Sequence, residues 1–282
     1  MIYLDHASCT PALPCATKAF LNAPFGNPNS SHIAGENARC CLEKAKETML
    51  RLLGAAKHDT IIFTSGASEG AALAIKSMED NCTVVGLNNI DHHCVTEYPL
   101  VPMKYGKKPY QYGLARMLFQ NETGEILPQP DLPKNSLWAC DITAGVGHVP
   151  FSFKDYPKMS YAFGDAMKFG GIPGCGFLLV KKGAPISQMI YGAPNRGGTP
   201  PVALIAAMAA ALEWHTEHMD EDRERTSACW ATMLEHFQKI EGMKYNTPFA
   251  PNRSTTSCAL VTFSKALRNS SFSIIPKSQL HL

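Results

Sequence analysis

Lys168 stands in the run Phe163-Gly164-Asp165-Ala166-Met167-Lys168-Phe169-Gly170-Gly171-Ile172-Pro173-Gly174-Cys175-Gly176-Phe177-Leu178-Leu179-Val180, where its neighbours are apolar or glycine apart from Asp165. A lysine carried into such a place loses solvation, its pKa falls, and its amine becomes a usable nucleophile. That chemistry is a Schiff-base lysine; the plainer reading is a lysine that snorkels from a hairpin. A second candidate is the stretch Thr60-Ile61-Ile62-Phe63-Thr64-Ser65-Gly66-Ala67-Ser68-Glu69-Gly70. Strand, small-residue turn and helix start are the geometry that binds a phosphate, through free N–H groups and the positive end of the helix dipole. An ordinary capped helix start has the same composition. His92 and Asp141 each follow an apolar run. His92 is placed either for a ligand crevice or as a polar loop residue. Asp141 either caps a turn or holds a proton on a bound heterocycle.

These residues need strands to deliver them. The pattern predicts strands at Ile2 to Leu4, Thr60 to Thr64, Thr83 to Leu87, Ala115 to Phe119, Ser136 to Cys140, a run ending at Val180, and Ser257 to Phe263. Helices are expected from about Gly35 to Leu53, from Ser68 through Met78, after Thr199 as N-cap, and from about Glu221 to Ile240. Strands alternating with helices give an α/β fold. Several strands end in polar residues that gather at one edge of one sheet, which favours a binding crevice.

Composition sets the outer limits. At 282 residues the chain makes one large domain or two smaller ones. Apolar content of 45% and charged content of 18% suit a globular core. A net charge of +2 without a basic block gives no nucleic-acid footprint. The start of the chain has no basic flank and no long apolar run, so no signal peptide is expected. The longest helical apolar run, Val202 to Leu212, is shorter than the roughly 20 residues a membrane span needs. Ten cysteines include no C-x-x-C pair, so reduced thiols are expected, in the cytoplasm or a reducing organelle matrix. His215 and His218 lie three apart and read as a solvated helix face rather than metal ligands.

The ordered set of short motifs resembles the class-V aminotransferase-like family of pyridoxal-phosphate (PLP) enzymes, and within it the cysteine desulfurases. The matching pieces are Tyr3-Leu4-Asp5-His6-Ala7, Gly26-Asn27-Pro28 with Ser31-His32, Phe63 to Glu69, Asp91-His92, Asn121-Glu122-Thr123-Gly124, Asp141 with Val146-Gly147, Lys168-Phe169-Gly170-Gly171, and Arg196-Gly197-Gly198-Thr199. The resemblance implies a fold-type-I large domain over 1–215, with a mainly parallel seven-stranded-type sheet flanked by helices. A partial C-terminal small domain over 216–282 would follow. It implies PLP as cofactor, with Lys168 carrying it and Asp141 on the pyridinium nitrogen. His92 would stack on the ring and move protons, and Asn121 would bond the ring hydroxyl oxygen. Ala67 and Ser68 would hold the phosphate. Thr199 would reach the phosphate of a neighbouring subunit, which implies a homodimer. The implied reaction takes sulfur from L-cysteine and leaves alanine, with a sulfur-acceptor protein as partner.

The chain departs from the family pattern at named positions. Met167 stands where a histidine is usual, and Ala144 where a glutamine supports the ring hydroxyl. Asp165 replaces a serine that donates to the phosphate, and an acid there would repel a phosphate unless protonated or turned away. The segment between Asn121 and Asp141 is too short for the usual helix. The family's catalytic cysteine lies on a C-terminal loop, and the reading is that this chain ends before it. Cys258 falls on the strand expected ahead of that loop, while Cys94 and Cys175 are nearer the site but match no family thiol. Two other readings therefore stand beside the desulfurase. One is a different PLP reaction on a small amino acid, transamination or β-elimination. The other is a catalytically silent homologue that binds a partner.

Overall fold

The computed structural model describes residues 3, 5–100, 108–193 and 195–240, with the backbone of two short strands at 244–245 and 261–262. In chain order the elements are α1 (Pro14–Leu21), α2 (Ile33–Leu52), β1 (Thr60–Thr64), α3 (Ala67–Asn81), β2 (Cys82–Leu87), α4 (His93–Thr96), β3 (Tyr110–Ala115), β4 (Ser136–Asp141), β5 (Tyr161–Asp165), β6 (Gly176–Val180), α5 (Val202–Glu217), α6 (Met219–Phe237), β7 (Lys244–Tyr245) and β8 (Val261–Thr262).

Six strands form one sheet in the order β1-β6-β5-β4-β3-β2. The pairs β5–β4, β4–β3 and β3–β2 are parallel, and β6 runs antiparallel to both β1 and β5. Among the described residues the sheet thus has one strand fewer than the resemblance implies. Every residue of β5 and β6 is buried, as are five of the six in β4. Strands covered on both faces read as continuous apolar runs, which is why their sequences do not alternate.

The alternation reappears in the packing. Trp138 and Cys140 of β4, Ala162 of β5, and Phe177 and Leu179 of β6 point into one core with Met49 of α2 and Ile205, Met208 and Leu212 of α5. Leu137, Ala139, Tyr161, Phe163 and Leu178 point into the other, against Leu73, Ile75 and Met78 of α3. The molecule is a helix–sheet–helix sandwich, since a sheet with two apolar faces must be covered twice. Burying one such Phe or Leu contributes about 2 kcal/mol. At Gly70 an added Cβ would meet the Phe163 Cβ at 2.9 Å, so α3 crosses β5 at a distance only glycine allows.

Several elements differ from the sequence expectation. α1 begins at Pro14, in the first turn where a missing N–H costs nothing, although its prolines read as turn punctuation. β5 hides in the Lys168 stretch because full burial removes its periodicity. The apolar run from Ala115 to Phe119 is buried, but the strand lies earlier, at Tyr110–Ala115, where Gln111 and Tyr112 are exposed and mask the signal. Thr199 does not cap α5: the cap position is Pro201, without a side-chain bond, because two prolines separate Thr199 from the first helical turn. His215 is not on a solvated face. It is 5% exposed, with its ring against those of His148 and Trp214. The strand expected at Ile2 to Leu4 lies outside the described residues except for Tyr3, as does Cys258.

Candidate active site

Each candidate side chain sits where a strand or helix ends. β4 stops at Asp141, whose carboxylate is buried and accepts from the Thr143 N–H at 2.8 Å. Burial pushes the Asp141 carboxyl above its ordinary range, opposed by the Thr143 bonds and by the charges of His92 and Lys168. Those two opposing charges place His92 and Lys168 within electrostatic reach of Asp141. Two residues far from it in sequence therefore act on Asp141.

His92 precedes α4 and caps it, its Nδ1 accepting from the Cys94 N–H at 3.3 Å. The same nitrogen lies 3.2 Å from the Cys94 Sγ. Burial pushes the Cys94 thiol up to about 12, the Asp141 charge adds to this, and a hydrogen bond from Ser68 opposes it. Ser68, in the first turn of α3, is thereby tied to the His92 loop. Cys175 is fully buried and also raised to about 12 by burial. Both thiols stay protonated, and a protonated thiol is a poor nucleophile.

Lys168 lies in a 3-10 turn, Ala166–Phe169, directly after β5. Its Nζ donates to the Ala7 carbonyl at 2.9 Å and the Ser8 carbonyl at 2.7 Å. Its own carbonyl accepts from the Thr10 hydroxyl and from His148 Nε2, both at 3.0 Å. The N-terminal segment and His148 together fix the lysine turn. Sequence reading missed His148, which has no strand-end signal. His148 is itself held neutral by burial and packs against His215, whose pKa burial lowers to about 4.

Asn121 is half-buried in the turn after Gln120. That turn is pinned to the His92 loop by Gln120 Nε2 donating to the Ile90 carbonyl at 3.2 Å. Asp91, beside His92, is a second buried acid. It accepts from the Met117 N–H at 2.9 Å and the Asn88 amide at 3.0 Å. Burial and then the Asp141 charge raise Asp91 to about 7. Sequence quoted Asp91 in a motif without a role; its repulsion with Asp141 depends on a distance no motif states.

The start of α3 differs from an open anion cup. Ala67 donates its N–H to Asp165 Oδ2 at 3.1 Å, and Met167 donates to Asp165 Oδ1 at 3.0 Å. Ser65 donates to Glu69 at 2.7 Å, and Glu69 is clasped by Arg196. A Cβ at Gly176 would lie 2.6 Å from the Gly66 backbone, so the glycines let β6 press against the turn. Thr199, exposed in the loop before α5, makes no hydrogen bond to these groups within the chain.

The sequence profile of the class-V aminotransferases matches residues 2–100 and 112–271. The chain belongs to the class-V aminotransferase family. A cysteine desulfurase IscS of Dictyoglomus turgidum is 30% identical over 302 residues, covering 92% of this chain and 76% of that protein. An IscS-like cysteine desulfurase of Mycobacterium tuberculosis is 27% identical, covering 80% and 68%. A solved NifS-like protein superposes with a TM-score of 0.81 at 25% identity, over 93% of this chain and 81% of that one. The family's members are PLP-dependent enzymes, and the fold is fold type I, as the class-V resemblance implies.

The residues of this chain fit the ring of that cofactor. The decisive observation is the buried Asp141, an acid at a strand end that feels both a histidine and a lysine. Such an acid suits a protonated heterocyclic nitrogen, and Lys168 suits an aldehyde. The phosphate end is where the chain departs, because Asp165 already holds the Ala67 N–H.

Proposed function

We propose that this chain is a PLP-dependent enzyme of the cysteine-desulfurase type, acting on a small amino acid, with L-cysteine as the leading substrate and alanine as product. The observation that carries this is the influence of His92 and Lys168 on the buried Asp141 that ends β4, read with the desulfurase relatives. The cofactor, when bound, supplies an electron sink that weakens bonds at the substrate's α-carbon.

The chain's residues supply the rest. Asp141 keeps the ring nitrogen protonated from its carboxylate. Lys168 would carry the cofactor and, when freed, would move protons at its Nζ. To do so it must leave the Ala7 and Ser8 carbonyls, which accept from its Nζ. His92 stacks on the ring and moves protons. Asn121 bonds the ring hydroxyl oxygen, and Ala67 and Ser68 face the cofactor's 5′ arm. Thr199 serves the site of a second copy in a homodimer, which its exposure permits. The nine cysteines among the described residues carry free thiols, which supports a reducing compartment such as the cytoplasm. A sulfur-acceptor protein would be the partner, as the desulfurase relatives suggest.

One observation favours a second reading. Cys94 and Cys175 are held protonated. A transamination or β-elimination on a small amino acid needs no enzyme thiol, so the same ring-binding residues serve it. The test is direct. The purified protein turns yellow with PLP, and under reducing conditions it releases sulfide from cysteine. Turnover of the amino acid without alanine, whether or not sulfide is released, selects the second reading, since β-elimination of cysteine also expels sulfide. A protein that stays colourless after PLP addition is a silent homologue, and the proposal fails.

A further inference from the structure

Asp165 closes β5 and is buried, with one carboxylate oxygen on the Ala67 N–H and the other on the Met167 N–H. Ala67 opens α3, so this carboxylate sits at the helix end where an anion gains from the dipole and from unpaired N–H groups. A Cβ at Gly66 would lie 2.7 Å from Asp165 Oδ2, which shows how closely the acid covers the turn. The other charges there are already matched. Glu69 takes the Ser65 N–H and pairs with Arg196, so that guanidinium is committed. A phosphate arriving at α3 would meet a fixed carboxylate and lose its first donor.

We infer that Asp165 is a specificity residue for the form of the cofactor. It disfavours the phosphorylated form and accepts a neutral 5′-hydroxymethyl group, whose hydroxyl donates to the carboxylate. This rests on the ring-binding reading above. The unphosphorylated vitamer class therefore binds at least as tightly as its phosphate ester, and replacing Asp165 restores the phosphate preference. A carboxylate that merely caps α3 would have no such effect on ligand choice.

Pyridoxamine and pyridoxamine 5′-phosphate test this, because they differ only in the phosphate and neither carries an aldehyde for Lys168. Titration calorimetry on the full chain gives both affinities. The wild type is expected to bind the two within about threefold of each other. Asp165→Ser and the near-isosteric Asp165→Asn are expected to gain about tenfold or more for the phosphate ester and to bind pyridoxamine no more tightly than the wild type, since its hydroxyl loses the charged acceptor. Without ligand both variants should melt lower, since one of the two N–H groups, of Ala67 and Met167, loses its carboxylate acceptor, and the phosphate ester should recover that loss.

A wild type that prefers the ester about a hundredfold or more overturns the inference while leaving the cofactor reading intact. Folded variants with an unchanged ratio overturn it equally. If neither ligand binds the wild type or either variant, the cofactor reading fails and the inference with it. The wild-type ratio decides the matter even if one substitution prevents folding.

Discussion

The two ends of the site are built on opposite charge logic. At the proposed ring end Asp141, His92 and Lys168 match the family's motifs, and the buried acid is influenced by both other side chains. At the α3 end the pattern is inverted: Asp165 stands where a serine is usual, and its carboxylate fills the place of an anion. The ring end is set by the sheet, since Asp141 ends β4 and the Lys168 turn follows β5. The α3 end is closed by the Asp165 side chain, which reaches from the end of β5 to the Ala67 N–H. Bond-making chemistry tolerates little change of residue type, whereas an anion site changes character with one substitution. On the proposed reading, the difference places the chain's own specialisation at the cofactor's arm rather than at its reactive ring.

The comparison can be broken most sharply at the ring end. Lys168→Ala is expected to abolish covalent capture of the cofactor and all turnover, read by loss of yellow colour and of sulfide release. Retained turnover there would place the carrier elsewhere. Asp141→Asn is expected to lower kcat/KM by about a hundredfold or more while the cofactor still attaches, because the substitution removes the charge that keeps the ring nitrogen protonated. Steady-state kinetics on a variant shown to hold cofactor checks it.

The smallest effect concerns stability. Asp91 has a folded pKa of about 7 against an ordinary 3.8, so the folded chain keeps a proton that the unfolded chain has released. Its contribution is complete below the ordinary value and is lost as the pH rises through about 7. The melting temperature should therefore fall between about pH 4 and about pH 7, and Asp91→Asn should flatten that fall. An unchanged slope in the variant would remove Asp91 from the account.

The sequence was enough to nominate the ring-end candidates. His92, Asp141 and Lys168 each follow an apolar run, and strand ends in an α/β sheet are where ligands sit. What sequence could not supply were distances between segments. The repulsion of Asp91 and Asp141, the His148 bond to the Lys168 carbonyl and the Asp165 bond to Ala67 all join residues remote in the chain. Asp165 was visible as an acid in the wrong place, but its direction was not. The fold failed to show where burial erased periodicity. β5 is buried throughout, and α5 is apolar on nearly all sides, so neither a strand period nor the buried face holding His215 stood out.

The central claim is that Lys168, beside Asp141, is the residue that carries the cofactor. Borohydride reduction of the full chain with PLP or pyridoxal, followed by peptide mass mapping, tests it directly. The account predicts a single pyridoxyl-type group on the peptide containing Lys168 with either aldehyde. Label spread across other lysines, or a Lys168 peptide left unmodified, would contradict it.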